Sequence, residues 1–186
     1  MWRAVSVEPV RAEPDGASEQ VTQLLPAEPV EVEERRRGWA RIRTAYDYPG
    51  WVHAAALEEG AGALPPPREG DPLEEARRFL GSPYLWGGLT EAGIDCAGLV
   101  HMAYRALGRL VPRDAHQQEE AGRALRADEL RPGDLVTYDE DGRCTHVAFW
   151  LGGGCILHAT AREGLGCVEE PEPEVLRDVR RRLVRL

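Results

Sequence analysis

The stretch Gly60-Ala61-Gly62-Ala63-Leu64-Pro65-Pro66-Pro67-Arg68-Glu69-Gly70 constrains the chain more than any other. Each proline fixes φ and removes a backbone donor, so three in a row exclude both a helix interior and a central strand. Such a stretch is a semi-rigid extended linker. It sets the expected organisation: a first domain over residues 1–62, a linker over 63–70 and a second domain over 71–186.

The first part reads as small and all-β. Val30-Glu31-Val32-Glu33-Glu34 alternates apolar and polar residues, and so does Gly38-Trp39-Ala40-Arg41-Ile42-Arg43. Tyr48-Pro49-Gly50 marks a turn before Gly50-Trp51-Val52-His53. Short strands with turn signals between them predict a small barrel, with Trp39 and Trp51 in its core. The second part opens with Asp71-Pro72, an N-cap followed by proline at the first helical position. Leu73, Ala76, Phe79 and Leu80 then recur at helical spacing up to Gly81. A second helix is predicted from Cys96 to Leu107, with Asp95 as its N-cap and Gly108 at its end. Strand signals follow at 134–138, 145–151 and 155–160, which makes the second domain α+β. The segment 175–186 reads as a short helix or a final strand.

Charge narrows the partners. Thirty-two acidic residues face 23 basic ones, for a net charge of −9, and every basic residue is arginine. Such a surface disfavours nucleic acid, and the absence of lysine excludes Schiff-base chemistry. No apolar run approaches the roughly 18 residues a membrane helix needs, so no membrane partner is expected. The first residues hold no signal-like apolar stretch before Glu8-Pro9, so the expected location is cytoplasmic; secretion or a periplasmic site is the alternative. The expected state is a monomer. The four cysteines, Cys96, Cys144, Cys155 and Cys167, form no CxxC pair and match no common zinc spacing. No metal and no cofactor is expected, and the cysteines are free thiols, one of them a candidate nucleophile.

Cys96 is that candidate. It stands at a predicted helix start, where unpaired N–H groups and the helix dipole favour a thiolate. His146 and His158 lie on adjacent strand-like segments joined by Gly152-Gly153-Gly154. If the three glycines form the loop, Ala148 pairs with His158 and His146 with Thr160, and both histidines share one face. A two-residue loop would put them on opposite faces. In the shared-face register Cys96 attacks an acyl carbon, His146 moves the proton, and His158 orients His146. Backbone N–H groups at the helix start are candidate oxyanion donors.

Pro83-Tyr84-Leu85-Trp86-Gly87-Gly88 followed by Ile94-Asp95-Cys96-Ala97-Gly98-Leu99-Val100 resembles the nucleophile motif of the NlpC/P60 cysteine peptidases. Arg131-Pro132-Gly133-Asp134-Leu135-Val136, Thr145-His146-Val147-Ala148 and Ile156-Leu157-His158-Ala159-Thr160 resemble that family's later strands, in family order. Gln23 to Val30, Gly38-Trp39-Ala40-Arg41 and Tyr48-Pro49-Gly50-Trp51-Val52 resemble a bacterial SH3 (SH3b) domain. The resemblance implies an SH3b barrel before a papain-like α+β domain. It also implies a peptidase of the γ-D-glutamyl-L-diamino-acid endopeptidase type, cutting cell-wall muropeptides with a free N-terminal L-Ala, in murein recycling. By the same resemblance the triad falls on Cys96, His146 and His158. Asp95 and Glu28 fall on residues that receive the substrate ammonium, and Tyr48, Tyr84, Trp86 and Asp114 on residues that line the cleft. Ala97 stands where relatives carry serine. The alternatives are a secreted hydrolase acting on polymeric wall and an inactive peptide-binding module.

Overall fold

Two β-sheets, one on each side of the proline-rich stretch, organise the molecule. In the computed structural model, which describes residues 1–140 and 142–186, the first sheet is antiparallel. Its strands are β1 (Trp2–Ala4), β2 (Glu8–Arg11), β3 (Gln20–Leu24), β4 (Pro29–Arg36), β5 (Trp39–Thr44), β6 (Pro49–His53) and β7 (Leu57–Glu59), in the order β3-β2-β6-β5-β4-β1-β7. The alternation read from the sequence falls on β4, β5 and β6. Val10, Leu24, Val30, Ala40, Ile42, Val52 and Leu57 turn inward as the small core. Trp51 is buried, whereas Trp39 is only half-buried and stacks on His53 with ring centroids 4.0 Å apart.

The second part begins with α1 (Pro72–Arg77), β8 (Leu89–Thr90), β9 (Gly93–Ile94), α2 (Cys96–Ala106), α3 (Ala115–Ala121) and β10 (Arg123–Ala124). It continues with β11 (Leu135–Glu140), β12 (Arg143–Gly152), β13 (Cys155–Thr160), β14 (Gly166–Pro171), α4 (Glu174–Arg177) and β15 (Arg180–Arg185). Six strands form a sheet in the order β10-β15-β11-β12-β13-β14. The Asp71 carboxylate accepts from Leu73 N–H at 2.9 Å and starts α1, which ends at Arg77, three residues before the expected stop. On one side of the sheet, Leu99, Val100 and Ala103 of α2 pack against Val147, Phe149 and Leu157. On the other, Leu176 covers a smaller cluster of Val136, Tyr138, Ala148 and Ile156. The segment 175–186 holds both alternatives, the end of a short helix and then a strand.

The glycine hairpin sets the register on which the site depends. Phe149 pairs with Leu157 and Trp150 with Ile156, the alignment expected from a three-glycine loop. The turn itself is tighter: Gly152 pairs with Cys155, and an irregularity between Trp150 and Gly152 absorbs the extra residue. Gly152, Gly153 and Gly154 all take positive φ (90°, 61° and 81°), which few other residues adopt. The bulge therefore keeps His146 and His158 on one face despite the two-residue turn.

The linker is pinned at both ends. Ala63 N–H donates to Ala27 O at 2.9 Å on the barrel side, and Arg68 N–H donates to Leu107 O at 3.1 Å just past α2. Gly108 is required there: a Cβ would lie 2.4 Å from Pro67 N.

Candidate active site

Between the barrel and the second sheet lies a cavity of about 860 Å³. Cys96, His146, Tyr84 and Asp114 line it from the second domain, and Glu19 and Tyr48 from the barrel.

Cys96 opens α2. Asp95 is the N-cap, and its Oδ1 accepts from Gly98 N–H at 2.6 Å. Glycine is needed at 98 because a Cβ would sit 2.4 Å from Gly88 O. The backbone N–H groups of Val147 and Ala97 favour charge on the Cys96 sulfur. Val147 follows His146 directly, so the start of α2 and the middle of β12 meet at this sulfur. Burial pushes the Cys96 thiol up to about 12, and the Asp95 carboxylate adds to the rise. Burial pushes His146 down to about 3, with His158 adding to the fall. Burial thus works against the expected resting thiolate and against a resting imidazolium alike.

His146 Nε2 lies 2.8 Å from His158 Nδ1, with the rings at 76°. His158 Nε2 lies 2.9 Å from Glu170 Oε1 on β14, and Arg162 Nη2 donates to Glu170 Oε2 at 2.6 Å. Burial lowers His158, and Glu170 opposes that fall. The sequence reading did not find Glu170. Its strand carries Val168-Glu169-Glu170-Pro171, which has neither clean alternation nor strong β propensity.

The barrel wall is joined to the second domain by polar contacts. Trp86 Nε1 donates to Glu19 at 2.8 Å, and Gln20 Nε2 donates to Trp86 O at 2.8 Å, so the largely exposed indole is held at the rim. Leu89 N–H donates to Gln23 Oε1 at 2.8 Å. The Tyr48 hydroxyl lies 3.1 Å from both carboxylate oxygens of Asp114. Burial raises Asp114, while Arg113 and Tyr48 pull it back.

The two carboxylates expected to receive an ammonium are engaged elsewhere. Asp95 borders the cavity, but Arg113 binds it with two hydrogen bonds (2.9 and 2.7 Å), and Gly87 N–H donates to it at 2.7 Å. Glu28 lies outside the cavity lining, fully buried, 3.2 Å from Arg105 of α2 and accepting from Leu25 N–H at 2.9 Å. Asp95 is held by Arg113 within the second domain, whereas Glu28 is ion-paired with Arg105 across the interface, with Glu28 Oε1 and Arg105 Nη1 making no hydrogen bond. Tyr48, Tyr84, Trp86 and Asp114 do border the cavity. Among the other histidines, His101 is fully buried with Nδ1 2.8 Å from Val111 O, and burial pushes it down to about 3.

The NlpC/P60 family model matches residues 81–179, and a model described as a bacterial dipeptidyl-peptidase Sh3 domain matches residues 10–57. A gamma-D-glutamyl-L-lysine dipeptidyl-peptidase of Bacillus subtilis (strain 168) is 40% identical over 92 residues, 48% of this chain. One of Bacillus cereus is 35% identical over 103 residues, 54% of this chain. Each match spans 31% of the relative's own length. The crystal structure of an NlpC/P60 family protein from Bacillus cereus aligns over 99% of this chain and 62% of its own, with TM-score 0.59 and 22% identity, a likeness of fold. The NlpC/p60 domain of the peptidoglycan hydrolase SagA aligns over 62% of this chain and 96% of its own, with TM-score 0.53 and 30% identity.

Proposed function

The chain belongs to the NlpC/P60 family, and from that premise we propose that it is a cysteine peptidase hydrolysing the γ-D-glutamyl–diamino acid bond of muropeptides with a free N-terminal L-Ala. One observation carries the reading: Cys96 and His146 line one cavity with a barrel wall that presents Tyr48 against a partly buried carboxylate, Asp114. The relatives named as dipeptidyl-peptidases, and the match of the barrel to an SH3 model of that type, agree with it.

The chemistry follows from the positions. Cys96 Sγ attacks the γ-carbonyl carbon of D-Glu while His146 takes the thiol proton, so neither group need carry charge beforehand. Backbone N–H groups at the start of α2 are donors for the oxyanion. His146 then gives its proton to the amine of the departing diamino acid, leaving a thioester on Cys96. Water, deprotonated by His146, hydrolyses the thioester and frees L-Ala-D-Glu. At the closed end, Asp114 pairs with the L-Ala ammonium, with the Tyr48 hydroxyl fixing the carboxylate. This gives to Asp114 the role that the resemblance gave to Asp95 and Glu28, both of which face arginines here. An acylated amine would leave Asp114 without a cation in a half-buried place. The biological setting we propose is recycling of muropeptides in the cytoplasm.

Incubation with L-Ala-γ-D-Glu-meso-diaminopimelate, followed by mass spectrometry, tests the reading. The expected product is L-Ala-D-Glu, with the N-acetylated peptide cut about 100-fold more slowly. Equal cleavage of both peptides, or release of fragments from intact sacculi with neither peptide cut, would contradict it.

A further inference from the structure

We propose that Glu170 is a positioning residue that fixes the direction of the two-histidine hydrogen-bond chain, and so leaves His146 Nδ1 free as the base. The inference rests on the reading of Cys96 and His146 as the reacting pair, but its first test needs no substrate.

The chain of contacts has four members. Arg162 donates to Glu170 from one side, at 2.6 Å to Oε2. Glu170 Oε1 faces His158 Nε2 at 2.9 Å, and His158 Nδ1 faces His146 Nε2 at 2.8 Å. A neutral imidazole has one donor and one acceptor nitrogen. Two neutral rings joined by one hydrogen bond can therefore be oriented in two ways. Either His146 donates from Nε2 and keeps a lone pair on Nδ1, or His158 donates from Nδ1 and forces the proton of His146 onto Nδ1. Only the first leaves His146 a nitrogen able to take the thiol proton.

Glu170 decides between them. An ionised carboxylate accepts and cannot donate, so His158 Nε2 must carry its proton. His158 Nδ1 is then an acceptor and His146 Nε2 the donor. Hydrogen bonds from Arg162 and His158 hold Glu170 below the usual carboxylate range against the opposing effect of burial, which keeps it an acceptor. Among the described residues, titratable or charged groups near the two rings include Cys96 of α2, Tyr138 of β11, with its ring centroid 5.6 Å from that of His146, Cys144 of β12, whose Sγ donates to His146 O at 3.7 Å, and Arg162. None of these competes for His158 Nε2. When His146 becomes imidazolium during turnover, the same chain places one fixed negative charge one ring away, beyond His158, balanced outward by Arg162.

A second histidine alone is an ambivalent orienter, because it can donate or accept. A carboxylate behind it removes that ambiguity, as a wrong tautomer in a catalytic dyad is severely damaging. The site thus uses a carboxylate after all, one residue further from the sulfur than in a three-membered triad.

Long-range 15N–1H NMR of the imidazole nitrogens at pH 7 tests the assignment on the free protein. In the natural sequence both His146 and His158 are expected as Nε2–H tautomers. In Glu170→Ala, an Nδ1–H form of His146 is expected to appear, kcat to fall about 10- to 100-fold with KM within twofold, and acetate to restore part of kcat. Because Arg162 Nη2 also donates to Oε1 (2.5 Å), the oxygen that His158 faces, Glu170→Gln can keep its amide oxygen at that place as acceptor for both, and is expected to retain the Nε2–H tautomers and most of kcat. An unchanged His146 tautomer in Glu170→Ala, or a Gln variant as impaired as the Ala variant, would overturn the proposal. Because the tautomers are read without substrate, a wrong substrate assignment leaves this result standing.

Discussion

The two walls of the cleft are built on opposite principles. The catalytic wall, from α2, β12 and β13, holds its titratable groups where burial disfavours their charged forms: it raises the Cys96 thiol and lowers His146. The seam between barrel and second domain instead carries full charges met by charged or polar partners: Glu28 of the barrel faces Arg105 of α2, and Arg113, which binds Asp95, also donates to Thr22 of the barrel. The difference teaches what each wall is for. A nucleophile that attacks a neutral carbonyl gains from groups whose charge develops only during reaction. A wall that must hold two domains in register gains from directional bonds, even though buried ion pairs add little net stability over apolar packing.

The largest expected effect lies on the catalytic wall. Cys96→Ala should reduce kcat by at least about 10⁴-fold, while the circular dichroism spectrum and unfolding midpoint stay unchanged, because only one small buried sulfur is lost. Residual turnover near the natural level would place the nucleophile elsewhere.

On the other side, Arg113→Ala should cost about 3–5 kcal/mol in urea unfolding, since it leaves Asp95 buried without its cation and removes the bond to Thr22 Oγ1 at 3.0 Å. Kinetic damage should follow from the same change, because Asp95 also caps the helix that carries Cys96. Loss of activity with unchanged stability would break the distinction between the walls.

Acid should act through the buried imidazoles. His146 and His101 are both lowered to about 3 from an unfolded value near 6.5. A lowered folded pKa means the unfolded chain binds the proton first. Stability is then complete above about 6.5 and is lost as pH falls toward 3. At pH 5 the loss should be about 2 kcal/mol from the fully buried His101 and less from the partly buried His146. Urea midpoints at pH 7 and pH 5 measure it; identical midpoints would show that these rings are hydrated.

Much of the catalytic wall was legible in the sequence and little of the barrel wall's chemistry was. Asp95-Cys96 announces a capped helix start, and the spacing of His146 and His158 about a triple glycine already restricts them to one face in the expected register. Motif resemblance supplied the roles. By contrast, α3 went unread because Ala115-His116-Gln117-Gln118-Glu119-Glu120-Ala121 has no apolar stripe, and β14 because its residues are acidic and end in proline. Glu170 was lost with it. The engagement of Asp95 and Glu28 by arginines was illegible for another reason: Arg105 and Arg113 look like two of 23 similar side chains until the tertiary fold brings one to Glu28 and the other to Asp95. Local pattern reveals what a helix or hairpin presents; it does not reveal which carboxylate a distant guanidinium will already occupy.

The division of labour between the walls can be measured as one ratio: kcat/KM for L-Ala-γ-D-Glu-meso-diaminopimelate divided by that for its N-acetyl form, in the natural sequence and in Asp114→Asn. Asparagine can still cap α3, so the fold is kept. A ratio of about 100 that collapses toward one in Asp114→Asn, with the acetylated rate unchanged, is the predicted result. A ratio near one in the natural sequence, or a large ratio that Asp114→Asn leaves intact, would contradict the account.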